Sequence, residues 1–230
     1  MNANTEIRDL VPDGALKAAA RSRAYGLLAR AFRYPETEAF EDLADGTYAE
    51  ALRSALEGSF PAVMDEFDTL VVPWLSVAGG IEDFEAAYLA AFENDAPRPS
   101  VSLYEGSFGE QRNEKPRLLL ELKAFYRNFG LAMAANDMED ALAAELEFMQ
   151  FLAAKQVEAL EEGRDPLPYL HAQRDFLARH LSGWLPALAG ELEAKLGEGL
   201  FTALGRLLSR YAHLDAAWTA AAFDSATAGP

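Results

Sequence analysis

The sequence predicts an all-α fold in a single domain, and three observations carry that prediction. Apolar residues recur at helical spacing through most of the chain, in runs separated by proline, glycine or Asn-Asp stops. No stretch alternates apolar and polar residues as a half-buried strand does; Val71-Val72 is the β-branched pair of note, and its surroundings are helical. Half of the 230 residues are hydrophobic, enough to build one core. The reading is about ten helices around a long central loop.

Residues 1–12 read as a flexible leader. Asp13 is placed to cap a helix running to Tyr34, where Pro35 stops it. Leu16, Ala20, Arg23, Leu27, Ala31 and Tyr34 share one face of that helix, widened by Leu28 and Phe32. A short helix covers Thr37 to Ala44, and Asp45-Gly46 ends it. Thr47 then caps a helix from Tyr48 to Glu57, with Gly58 as its stop. Pro61 suits a helix N1 position; the helix it opens carries Val63, Met64, Phe67, Leu70, Val71 and Trp74, with a kink at Pro73. After Gly79-Gly80, Ile81 to Glu93 is amphipathic through Phe84, Ala87, Tyr88, Ala91 and Phe92.

The loop at residues 94–115 follows. Pro97 and Pro99 forbid helix, and Gly106, Gly109 and Pro116 keep the backbone irregular. At roughly 20 residues it far exceeds the usual connection of about 4–6, and loops of that length are functional or disordered. Val101, Leu103, Tyr104 and Phe108 give it side chains that pack, which predicts an ordered loop. Pro116 opens the next helix, apolar at Leu118, Leu119, Leu122, Phe125, Tyr126 and Phe129 and closed by Gly130. Asp137 is placed as N-cap of a long helix from Met138 to Glu162, with Asp140 at N3. Helices over Leu167 to Ser182, Trp184 to Leu196 and Glu198 to Phe223 complete the set, and 224–230 reads as a flexible tail. The folded unit is thus 13–223, two helical halves joined by the loop.

Charge and composition exclude several classes. A formal net charge of −17 argues against nucleic acid and anionic membrane as partners and favours a basic peptide. There is no cysteine, hence no disulfide framework, thiolate nucleophile or cysteine-held metal. The first residues are not basic and no apolar segment follows them, so no secretory signal is read. No apolar run approaches the roughly 18–20 residues of a membrane span, and a cytoplasmic protein without membrane insertion is expected. The residues three before His171, His180 and His213 are Pro168, Leu177 and Arg210, none a glutamate, which removes the di-iron bundle pattern. His180, between Leu177 and Leu181, reads as a packed histidine. Gly79-Gly80 lacks the lysine of a phosphate loop, and no nucleophile elbow occurs. No metal, cofactor or catalytic residue is expected.

One carboxylate stands out. Leu142, Leu146, Met149 and Ala153 form an apolar face, and Glu145 falls within it, while Asp140 and Glu147 point nearly the other way. An acid there needs a partner, since burying it alone is costly. Either an arginine such as Arg117 or Arg127 pairs with it, or it opens onto a cleft for a cationic group.

Read together, the motifs resemble a known family. A helix ending Tyr88-Leu89-Ala90-Ala91-Phe92-Glu93 leads to Pro99-Ser100-Val101-Ser102-Leu103-Tyr104-Glu105. Asp140-Ala141-Leu142-Ala143-Ala144-Glu145-Leu146-Glu147-Phe148-Met149 follows, then Phe176-Leu177-Ala178-Arg179-His180-Leu181-Ser182-Gly183-Trp184-Leu185-Pro186. This order is similar to that of the TorD/DmsD/NarJ family of molybdoenzyme maturation chaperones, above all its delta-subunit-like members, from about residue 20 to 215. The resemblance implies an all-helical protein that is not an enzyme and carries no cofactor. Its partner would be the apo catalytic subunit of a DMSO-reductase-type molybdopterin oxidoreductase, together with that subunit's twin-arginine signal peptide, held until the molybdenum cofactor is inserted. The alternative is a permanent structural delta subunit. The family's Glu-x-Pro-Asp-His loop is only partly kept: Asp140 matches, but Glu139 stands at the Pro position and Ala141 at the His position. A cationic, then apolar, peptide needs carboxylates beside an apolar groove. Glu105, Asp140 and Glu145 are the candidate acids, with Trp74, Tyr88, Ser102, Tyr104 and Phe148 as wall. A monomer or a domain-swapped dimer is expected.

Overall fold

The computed structural model describes residues 3–75, 79–93, 101–108, 111–134 and 137–227. Among them lie nine helices: α1 (Ala3–Ala31), α2 (Thr37–Ala44), α3 (Thr47–Ser59), α4 (Ile81–Phe92), α5 (Gln111–Asn128), α6 (Leu142–Glu161), α7 (Leu167–Phe176), α8 (Ser182–Leu196) and α9 (Leu200–Thr227). The predicted all-α class holds in this single helical domain; the β pairing among the described residues is one isolated antiparallel bridge, Tyr104 to Ala141. α1 lies along α6 in the most extensive helix–helix contact, with α3 also against α1. α9 packs on α8 and α7, and α7 returns to α6. Gly26 permits the α1–α6 approach, because a Cβ there would meet the Gln150 side chain at 2.8 Å.

Local departures from the sequence reading have physical causes. Helical backbone begins at Ala3, so Asp13 lies inside α1 rather than capping it. The buried stripe of α1 is Ala18, Arg21, Ala24, Tyr25, Leu28 and Ala29, continued by Phe32 just past its end and rotated from the predicted face; Leu16 is exposed. Gly58 sits within α3, which runs on to Ser59. The stretch 61–74 is not one kinked helix. It is a 3₁₀ turn, a short α turn, a π turn (Phe67–Val71) and a second 3₁₀ turn holding Pro73, which has no N–H to continue an α ladder. The backbone of α5 starts at Gln111, with a non-helical kink at Glu114 two residues before Pro116. α7 and α8 are not separate elements: a π turn, Leu177–Leu181, joins them without a break and carries His180 inward. Residues 94–100 and 109–110 of the predicted loop lie outside the described residues.

A buried ion pair crosses the helix interior. Arg21, fully buried, donates from Nε to Asp215 Oδ1 (2.7 Å) and from Nη2 to Oδ2 (2.9 Å). Nη2 also reaches Gln173 Oε1 at 2.6 Å, Gln173 donates to Gln156 Oε1 at 3.0 Å, and Tyr25 donates to Asp215 at 2.7 Å. Helices α1, α6, α7 and α9 are thereby cross-braced by one polar network. Burial opposes the charged guanidinium, and Asp215 beside it more than offsets that, so the Arg21 pKa is raised.

Candidate functional site

The residues following the loop prolines are held by backbone pairing. Leu142 N donates to Leu103 O (2.8 Å) and Glu105 N to Asp140 O (2.9 Å), on either side of the Tyr104–Ala141 bridge. The bridge pins 101–108 to the entry of α6, whose N-cap is Ala141. Asp137 is therefore not the cap, and Asp140 is not at N3: its Oδ2 accepts from Gly106 N (3.2 Å) and pairs with Lys115 Nζ (3.1 Å). Gly106 has to be glycine here, since a Cβ would come within 2.8 Å of that same oxygen.

Beneath this stitch lies a buried acidic cluster. Glu105, Asp140 and Glu145 are all buried. His180 Nδ1 is 3.0 Å from Glu105 Oε2, and an Nδ1–H tautomer donates to that carboxylate. Its Nε2 is 3.5 Å from Glu121 Oε1, which is also paired with Arg179. Glu145 Oε2 accepts from Trp184 Nε1 at 3.1 Å, so its partner is an indole on α8 and neither Arg117 nor Arg127. Asp140 Oδ1 and Glu145 Oε1 find no donor among the described residues. Burial first, then the neighbouring Glu105 carboxylate, hold Glu145 well above the ordinary carboxylate range, while the Trp184 bond works the other way. A protonated Glu145 can donate to Glu105, which two carboxylates cannot do for each other.

Beside the cluster opens a groove of about 630 Å³. One wall is the turn just after α1 (Phe32, Arg33, Tyr34), and another the end of α4 (Tyr88, Phe92) with its C-cap Glu93. Residues 102–104, the connection 131–133, Asp137, Met138 and the first turns of α6 through Phe148 and Phe151 close the rest. Tyr88 donates to Phe32 O at 3.1 Å and packs edge-on against Tyr34 at 5.6 Å. Burial, then Glu93 and Tyr104, push its phenol up to about 12 against the opposing effect of Arg33. Phe148 forms the base, in edge contact with Tyr126 and Phe176 at 4.9 Å each. Tyr34, Tyr104 and Met138 are 48%, 41% and 38% exposed, which puts large apolar side chains at the groove's mouth. Lys115 lies over the Tyr104 ring at 5.5 Å.

The predicted site residues thus separate into three groups. Tyr88, Ser102, Tyr104 and Phe148 converge on the groove. Glu105, Asp140 and Glu145 do not line it; they are buried, held by His180, Lys115 and Trp184. Trp74 stands elsewhere, 42% exposed at the end of the 61–74 stretch. The carboxylates that do line the groove are Glu93, Asp137 and Glu147. The sequence signal for Glu147 is a second face of α6, Ala143, Ala144, Glu147, Phe148 and Phe151, at helical spacing. Among the described residues no group of histidines and acids is arranged to hold a metal ion, and no helix is long and apolar enough to cross a membrane.

Comparison with known proteins assigns the fold to a family. The family model described as nitrate reductase delta subunit matches residues 55–190. The chain is 47% identical over 203 residues to a perchlorate reductase assembly chaperone protein of Dechloromonas aromatica, covering 86% of this chain and 90% of that one. It is 34% identical over 222 residues to a dimethyl sulfide dehydrogenase assembly chaperone protein of Rhodovulum sulfidophilum, covering 90% and 83%. Over 139 residues it is 32% identical to the chaperone protein TorD of Photobacterium profundum, covering 59% and 62%. The chain belongs to the nitrate reductase delta subunit family, the TorD/DmsD/NarJ family of molybdoenzyme maturation chaperones.

Proposed function

We propose that this protein is a cytoplasmic, system-specific chaperone. It binds the apo catalytic subunit of a DMSO-reductase-type molybdoenzyme, assists insertion of the molybdenum cofactor and delays export. Its groove takes the subunit's twin-arginine signal peptide. The observation that supports this most is the groove itself: an aromatic trough of about 630 Å³ with Glu93, Asp137 and Glu147 along it, in a chain of net charge −17. A signal peptide presents guanidinium groups followed by an apolar stretch, and the groove offers both complements side by side. The exposed Tyr104 ring adds a face for a guanidinium to stack on. The work is capture and release, with no bond made or broken.

Titration of the protein with the twin-arginine signal peptide of a DMSO-reductase-type molybdoenzyme from the same cell tests the reading. Saturable binding that weakens with salt is expected, and Tyr104→Ala should weaken it about 2- to 30-fold, the range of one cation–π contact. If neither the peptide nor the full apo subunit binds at low salt, the reading falls. Recovery of the protein at one copy per purified active enzyme would support a permanent delta subunit instead.

A further inference from the structure

Among the described residues that line the groove there is one cation, Arg33, and that cation is bonded to one of the groove's acids. Arg33 Nη2 lies 2.5 Å from Glu147 Oε1, with the two side chains 50% and 43% exposed. Arg33 leaves the last turn region of α1 beside Phe32 and Tyr34, and Glu147 stands on α6 one residue before Phe148, so the pair bridges the trough from wall to base. The pair is not a needed brace. α1 and α6 are already joined along their length and locked by the Arg21 network, and an exposed ion pair contributes little to stability. What it does is fill the arginine-binding position of the groove with the protein's own arginine. Glu93 and Asp137 remain along the same lining with no such partner among the described residues' ion pairs.

We infer that Arg33 is a built-in placeholder: its guanidinium occupies Glu147 in the empty groove and must swing into solvent when a client's arginine takes that carboxylate. This rests on the reading of the groove as a peptide site and adds how the site chooses. A guanidinium can replace Arg33 because it offers the same planar fork of donors; an ammonium matches the geometry less well, and an uncharged side chain offers no exchange. Binding thus demands an arginine and not merely an apolar segment, because only the arginine repays the ion pair that is broken. Half-exposure of both partners keeps the exchange inexpensive and fast, unlike the buried pair at Arg21.

The probe is a synthetic peptide with an adjacent arginine pair followed by an apolar stretch, titrated by calorimetry against wild type, Arg33→Gln, Glu147→Gln and the double variant. Arg33→Gln should tighten binding about two- to five-fold, the range an exposed ion pair permits. Glu147→Gln should weaken it about tenfold, through loss of a charge-assisted contact. In the Glu147→Gln background, Arg33→Gln should add nothing, because no competition is left to relieve. A control peptide with both arginines replaced by glutamine should show no gain from Arg33→Gln. Thermal unfolding of each variant confirms that the half-exposed substitutions leave the fold intact. If the arginine peptide binds wild type but Arg33→Gln leaves affinity unchanged or lower, the placeholder is overturned while the groove reading stands. If the peptide binds no variant, the placeholder and the assignment of the groove to a twin-arginine peptide fall together, while the chaperone reading is decided by the apo subunit.

Discussion

Two buried polar networks lie in this helical body, and they are built to opposite rules. Around Arg21 every charge has its counter-charge: one guanidinium, one carboxylate, two amides and a phenol close on one another with short bonds. Around Glu145 the carboxylate oxygens outnumber their donors. Glu105, Asp140 and Glu145 share His180, Lys115, Trp184 and the Gly106 amide, and two carboxylate oxygens are left without a donor among the described residues. The first network fastens α1 to α6, α7 and α9. The second sits under the stitched segment 101–108 and the entry to α6, next to the groove. Balanced charge deep in a core serves as a brace, whereas surplus acid marks a place where protonation, and with it loop position, can change.

The largest effect is expected at Arg21. Arg21→Met leaves Asp215 buried and unpaired, which costs about 3–5 kcal/mol. Pairing it with Asp215→Leu should recover most of that loss, since a buried ion pair exchanged for packed apolar groups is often close to neutral. Urea unfolding of the single and double variants measures both. A double variant as unstable as the single would mean that the network is valued for its geometry and not for its charge balance.

A smaller effect is expected at the other network. Trp184→Phe removes the one donor to Glu145 Oε2 while keeping the ring near Phe108, and a lost buried hydrogen bond costs about 1–3 kcal/mol. Part of that loss should be returned on acidification, because a protonated Glu145 needs the indole less. Unfolding midpoints at alkaline and acidic pH, on either side of Glu145's protonation, separate this from simple loss of packing, which would be the same at both.

How much of this is legible in the sequence follows from the range of each interaction. Helix existence is readable because apolar spacing and proline stops act within a few residues: Thr37–Ala44 and the start of α4 at Ile81 rest on those signals. The inward face of α1 is not readable, because Arg21 looks like a solvent residue until Asp215, 194 positions away, is placed beside it. The unbroken α7–α8 run is hidden for a different reason. A π turn inserts a residue without any stop signal, and Gly183 suggests a break that tertiary packing overrides. At the site, the segments are legible and the division of labour is not. Glu145 stands out as an acid on an apolar stripe, but its neighbours come from the loop (Glu105) and from α8 far along the chain (Trp184). Glu147, which points away from that stripe, faces the groove, since the stripe looks into the core and the groove lies on the next face of α6.

The smallest effect is expected from the smallest change, at Glu145. Glu145→Gln replaces one oxygen with an amide, keeps an acceptor for Trp184 and supplies a permanent donor toward Glu105. In wild type the folded-state Glu145 carboxyl is raised above the value near 4.5 that it has when unfolded. Between those two pKa values the folded chain keeps a proton that the unfolded chain has released. Wild-type stability therefore falls as pH climbs through that window and recovers as pH drops back through it. The amide cannot titrate, so the variant should match or slightly exceed wild type at alkaline pH, by up to about 1 kcal/mol, the scale of one hydrogen bond. It should lose that advantage toward pH 4.5. Denaturant titrations of both proteins across the range report the difference directly, since the titrating groups outside this acidic cluster are common to the pair and cancel. Curves that run parallel at all pH values would show that Glu145 keeps the same protonation folded and unfolded, and the contrast between the two networks would reduce to one of hydrogen bonding alone.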